Sequence, residues 1–119
     1  MSSEALVEGP NGVTAAWETQ GQVKFARVDP QSLKLGAPVA APGGGSNRKH
    51  PVLAVNARGE TLFAWTEGTG WNRGGSLAWQ LYDRDGKPTA DRGRVEGGIP
   101  VWGLAALAPR PDGGFTLIH

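Results

Sequence analysis

Asn56-Ala57-Arg58-Gly59-Glu60-Thr61-Leu62-Phe63-Ala64-Trp65-Thr66-Glu67 echoes an earlier stretch, Gly9-Pro10-Asn11-Gly12-Val13-Thr14-Ala15-Ala16-Trp17-Glu18-Thr19. It returns in decayed form as Arg110-Pro111-Asp112-Gly113-Gly114-Phe115-Thr116-Leu117-Ile118-His119. A second unit alternates with the first: Val23 to Asp29 matches Leu77 to Asp83, and each is followed by a Gly-x-Pro step, Gly36-Ala37-Pro38 and Gly86-Lys87-Pro88. A self-similar period of roughly 50 residues is the mark of units that stack on one another.

The period within each unit is that of strands. Leu53 to Val55, Thr61 to Thr66, Leu77 to Tyr82 and Phe115 to Ile118 are short runs rich in β-branched and aromatic residues. Only Val101 to Leu107 approaches helical spacing, and there Gly103 with Pro100 and Pro109 favours strand or loop. Nineteen glycines and nine prolines fall between the apolar runs and punctuate them as turns. Pro10-Asn11-Gly12, Ala57-Arg58-Gly59, Arg84-Asp85-Gly86 and Asp112-Gly113-Gly114 place glycine where a hairpin needs a positive φ.

The strand Thr61 to Trp65 carries Phe63 and Trp65 on one side and Leu62 and Ala64 on the other, so both of its faces are greasy. Such a strand belongs in a sheet covered on both faces. With no helices to do the covering, the neighbours must be other sheets, as in the blades of a β-propeller. The unit around Trp79 alternates more, with Gln80 and Lys24 as polar members, as expected nearer a blade's outer edge. The expected fold is therefore all-β. It consists of about two and a half four-stranded antiparallel blades, in repeat units at about 5–42 and 51–95 with a half unit at 104–119, in one domain. Propellers close with four to eight blades, so these blades require more, either from a longer protein, from further copies, or from a partner.

Composition excludes several function classes. Twelve basic against eleven acidic side chains leave no electrostatic footprint for nucleic acid or anionic membrane. No apolar run reaches the ~18 residues of a membrane span. Met1 to Glu4 leads into strand-like sequence with no signal-peptide pattern. The lack of cysteine removes disulfides and thiol chemistry. Asp83-Arg84-Asp85-Gly86 opens like a calcium loop but lacks the later ligands and reads as a hairpin turn. His50 and His119 have no metal-ligand spacing with each other. Gly43-Gly44-Gly45-Ser46 is followed by neither Lys-Ser/Thr nor a helix, so it is no phosphate loop. No cofactor is expected.

His50-Pro51-Val52-Leu53-Ala54-Val55-Asn56-Ala57-Arg58-Gly59-Glu60-Thr61-Leu62-Phe63-Ala64-Trp65-Thr66-Glu67-Gly68 resembles repeats of bacterial sialidase-like (neuraminidase-repeat) propeller proteins. Leu77 to Thr89 and Arg110 to His119 resemble the blade that ends many such chains. The resemblance spans about Glu4 to His119 and implies the C-terminal part of a six- or seven-bladed propeller, in a family whose members are mostly exported. Sialidases hold the substrate carboxylate with three arginines and use a Tyr–Glu pair as nucleophile and an Asp as acid/base. Here the lone tyrosine, Tyr82, sits on an outer-strand unit, and none of the eight arginines matches that trio by local motif. The family's Ser-x-Asp-x-Gly-x-Thr-Trp turn is reduced to Asn56-Ala57-Arg58-Gly59-Glu60-Thr61. The fold motif says little about activity.

Blade topology indicates where function would sit. The loop joining a blade's second and third strands shares a face with the loop entering the next blade. Loop 67–75 then lies beside 43–50 and 97–102. One rim collects Trp71, Asn72, Arg73, Asn47, Arg48, Lys49, His50 and Trp102, with Glu67 alongside. Indole with amide and guanidinium donors suits a sugar or an acidic ligand, whose C–H groups stack while its hydroxyls or carboxylate take the donors. The same residues also read as loop decoration, with Trp71 folded back as packing. The expected function is a non-catalytic module binding glycan or protein through this rim. The alternative is part of a sialidase-type hydrolase whose catalytic residues lie mostly outside the chain.

Overall fold

The computed structural model describes residues 4–43, 45 and 47–119. Met1 to Ser3, and Gly44 and Ser46 of the glycine-rich stretch, lie outside the described residues. The described residues form ten strands and no helix. β1 (Glu4–Gly9), β2 (Gly12–Thr19), β3 (Gln22–Arg27) and the two-residue β4 (Val39–Ala40) make a first sheet in chain order. β5 (Arg48–Val55), β6 (Thr61–Glu67), β7 (Gly75–Tyr82) and β8 (Pro88–Ile99) make a middle sheet in the same order. β9 (Ala106–Pro109) and β10 (Phe115–Ile118) form a hairpin. Every strand pair is antiparallel. Val101 to Leu107 is a turn that runs into β9, as the glycine and prolines around it imply.

The expected turn glycines all carry the conformation that made them necessary: φ is 107° at Gly12, 82° at Gly59, 81° at Gly86 and 90° at Gly113. Gly59 and Gly113 have a further use. Arg58 packs over Gly113 and Asn11 over Gly59, so the tip of each unit's first turn rests on a glycine of the next unit's turn. A Cβ on Gly59 would stand 3.0 Å from Asn11 Nδ2.

The first strands of the three units are neighbours: β5 lies against β1, and β9 against β5. The middle sheet is consequently covered on both faces. Thr61 through Thr66 of β6 is buried without interruption. Toward the first sheet, Phe63, Trp65, Leu53 and Tyr82 meet Phe25, Val23, Ala16 and Ala41. Phe25 stands edge-on to Phe63 (centroids 5.0 Å) and to Tyr82 (4.9 Å). Toward the hairpin, Ala64, Leu77 and Ile99 meet Ala105, Leu107 and Leu117. Burying one such large side chain stabilises the fold by about 1.5–3 kcal/mol.

Gln80 departs from the alternation read in the sequence. It is buried rather than wet, because its amide nitrogen donates to the carbonyls of Leu81 (2.8 Å) and Thr89 (2.7 Å) where the β7–β8 register shifts. The two outermost faces are open. The first sheet's far face presents Leu6, 71% exposed, and the hairpin's far face presents Ile118, 65% exposed.

Candidate functional site

Loop 67–75 is built by short local bonds. Gly70 and Arg73 exchange backbone N–H and C=O groups (3.2 and 3.1 Å), which puts Trp71 and Asn72 at the tip of a tight turn. Asn72 supplies the positive φ, 63°, that the turn requires. Arg73 Nε donates back to Gly68 O at 2.9 Å and braces the turn. Asn47 ties in the neighbouring loop: its carbonyl accepts from Gly68 N (3.2 Å), and its Nδ2 donates to Thr69 O (3.4 Å). The third loop comes alongside through Gly74, where a Cβ would collide with Ile99 O and the backbone at Pro100 and Val101. Gly103 N then closes a turn on Pro100 O at 2.8 Å, with Trp102 inside it at φ 64°.

The outcome is a pair of exposed indoles. Trp71 and Trp102 stand edge to face with centroids 4.8 Å apart and planes at 88°, yet Trp71 is 86% exposed and Trp102 67% exposed. Trp71 therefore does not fold back as packing. Of the six non-glycine residues with positive φ among the described residues, four belong to this rim: Asn47, His50, Asn72 and Trp102. A bulky residue such as Trp102 in that region costs about 1–3 kcal/mol, and such strain gathers at functional sites.

Arg48 and Glu67 are placed differently from the rim position read in the sequence. Arg48 is 4% exposed and lies between the sheets. Its Nε donates to Glu67 Oε2 (2.9 Å), Nη1 to Gln22 Oε1 (3.2 Å) and Ala41 O (3.1 Å), and Nη2 to Pro42 O (2.6 Å). Its Cζ sits 5.4 Å above the Trp65 ring. Glu67 also accepts from Trp65 Nε1 at 2.9 Å and pairs with Arg94. Burial lowers the Arg48 guanidinium from its usual value, but guanidinium still keeps its charge. These two residues clamp the first sheet's outer end to the middle sheet. His50 lies in a β5 irregularity between Lys49 and Val52, at φ 52°, and its backbone N donates to Glu18 Oε2 at 3.0 Å.

Beside this clamp, a groove of about 520 Å³ is lined by Gly43, Gly45, Arg48, Trp65, Glu67, Trp79, Arg92 and Arg94, among others. It lies alongside the two-residue β4, where β8 is largely exposed. Arg92 and Arg94 were not singled out from the sequence. Their signal is the period-two run Arg92, Arg94, Glu96, which sets all three on one side of β8. Arg94 and Ser76 bond the Glu96 carboxylate and hold it below its usual range.

Two other sequence candidates resolve as structure. Asp83 Oδ1 accepts from the backbone N of Asp85 (2.9 Å) and Lys87 (3.0 Å), the arrangement of a capped turn. Tyr82 is buried in the inter-sheet core, where burial pushes its hydroxyl up to about 12. Compared with protein-family models, with curated proteins and with solved structures, the chain matches none of them.

Proposed function

We propose that the chain forms blades of a sialidase-like β-propeller and binds glycan through the rim that carries Trp71 and Trp102, without catalysis of its own. The observation that carries this reading is the exposed indole pair. Two neighbouring tryptophans held out of the core on strained turns present apolar faces to solvent, which is the surface that sugar C–H groups stack on. Arg73 stands beside them. Its Nη groups are left by the Nε–Gly68 bond to meet a hydroxyl or carboxylate. The propeller reading is supported by two successive four-stranded meanders, by first strands that neighbour one another, and by a β6 buried on both faces.

The test is a glycan-array screen followed by titration calorimetry on the best acidic and neutral glycans. Trp71→Ala and Trp102→Ala are expected to weaken capture by about tenfold or more each, with the far-ultraviolet circular dichroism unchanged. Binding that survives both substitutions would sink the proposal. The alternative, a sialidase-type hydrolase whose catalytic residues lie mostly outside the chain, would take its nucleophile from there, since Tyr82 is buried in the inter-sheet core.

A further inference from the structure

We infer that the open face of the first sheet and the open face of the C-terminal hairpin are the two halves of one head-to-tail interface, and that the occupant of each is a second copy of this chain. The inference rests on reading the sheets as successive units of one array, and not on what the rim binds.

The cross-strand pairs of the three units correspond, although the first unit's turn is one residue shorter than the other two. Leu6 pairs across to Ala15, Leu53 to Phe63, and Leu107 to Leu117. In the middle sheet, Leu53, Phe63 and Trp65 form the face that the first sheet covers. In the hairpin, Leu107 and Leu117 form the face that the middle sheet covers. The matching face of the first sheet is Leu6, Ala15 and Trp17, and there Leu6 is 71% exposed and the nearby Val13 38% exposed. The same comparison applies to the opposite faces. Ala5, Val7 and Ala16 of the first sheet pack into the core shared with the middle sheet, and Thr14 beside them is buried. Their counterparts in the hairpin are Ala106, Ala108, Thr116 and Ile118, which are exposed.

The two open faces are thus the knob set and the socket set of a contact this molecule already makes twice. Ala106, Ala108 and Thr116 nearly reproduce Ala5, Val7 and Thr14, the small residues that let a neighbouring sheet approach closely. Ile118 replaces Ala16 with a larger side chain. It faces a socket in which Ala15 replaces Phe63, so the added volume meets a smaller partner. The contact is heterologous: one copy offers its hairpin, the next its first sheet, and repetition closes a ring or extends a fibre. Apolar sheet faces of this kind are otherwise sites of indiscriminate association.

Sedimentation velocity on the full chain tests this, from low to high micromolar concentration, with Leu6→Lys and Ile118→Lys. Both positions are solvent-exposed in the single copy, so neither substitution disturbs its core. The wild type is expected to associate, and each variant alone to run as a folded monomer, with association about tenfold or more weaker. Each variant retains one intact half, so an equimolar mixture is expected to form a heterodimer and nothing larger. A wild type that stays monomeric throughout overturns the inference. So does association that either variant leaves unchanged, or a pair of monomeric variants that fail to dimerise on mixing. Glycan capture measured on the Leu6→Lys monomer scores the rim separately, so the two proposals fail independently.

Discussion

Arg48 and Trp71 occupy opposite environments, the first buried between the sheets and the second almost wholly in water. Arg48 directs all three of its guanidinium nitrogens at internal acceptors, so Arg48→Ala leaves Glu67 and two carbonyls short of a donor in a buried place. A loss of about 3–5 kcal/mol is expected in urea denaturation. A loss under about 1 kcal/mol would mean the clamp is redundant. Trp71→Ala is expected to change stability by no more than about 0.5 kcal/mol, because the side chain is almost wholly in water. Tyr82 offers a spectroscopic check, since it is the only tyrosine. Its hydroxyl is raised by burial from 10.0 to about 12. The neutral form is the one the fold prefers, so this contribution is complete below pH 10.0 and is lost as pH climbs through about 12. Absorbance at the tyrosinate band should therefore rise late and together with unfolding. An ordinary midpoint in the folded protein would place Tyr82 outside the core.

β6 is the element on which the rest is assembled. Its two-sided apolar pattern was legible in the sequence, because alternation along a strand is a local property set by the pleat. Phe63→Ala removes the ring that meets Phe25 and Trp65, and about 3–5 kcal/mol of destabilisation is expected in thermal or urea unfolding. On the hairpin side, Glu60 accepts from Asn56 Nδ2 (2.8 Å), which also donates to Gly113 O (2.9 Å). The Asn56 and Arg58 hydrogen bonds hold the Glu60 carboxyl below its usual 4.5. A depressed carboxyl stabilises the fold above its unfolded value and ceases to do so as pH falls through the folded one. Acidification below 4.5 should loosen the β9–β10 hairpin first, read as a larger fall in amide protection there than in β6 relative to neutral pH. Equal loss in both elements would deny Glu60 this role. Gln80 shows the limit of that local rule: alternation marks a side chain's face, but whether backbone carbonyls await it depends on a register shift with a later strand.

Across the whole molecule, burial is concentrated in the middle sheet and thins toward both ends. Native-state hydrogen exchange is expected to find the slowest amides in β6 and β7 and the fastest in β1, β9 and β10. Association through the open faces should protect β1 and β10 at high concentration, and uniform protection at low concentration would contradict the layered picture. The strands, their order, the turn glycines and the greasy faces of β6 were determined by the sequence alone, because each follows from sterics among near neighbours in the chain. The adjacency of Asn47 to loop 67–75, and of that loop to 97–102, was also legible, since it follows from strand order. Only the tertiary structure decided that Arg48 and Glu67 turn inward while Trp71 and Trp102 stay out. It also decided that Arg92 and Arg94 border a groove beside Arg48 and Glu67. The direction a loop or edge side chain takes depends on which distant carbonyls and carboxylates come within hydrogen-bonding range. No local period encodes that choice.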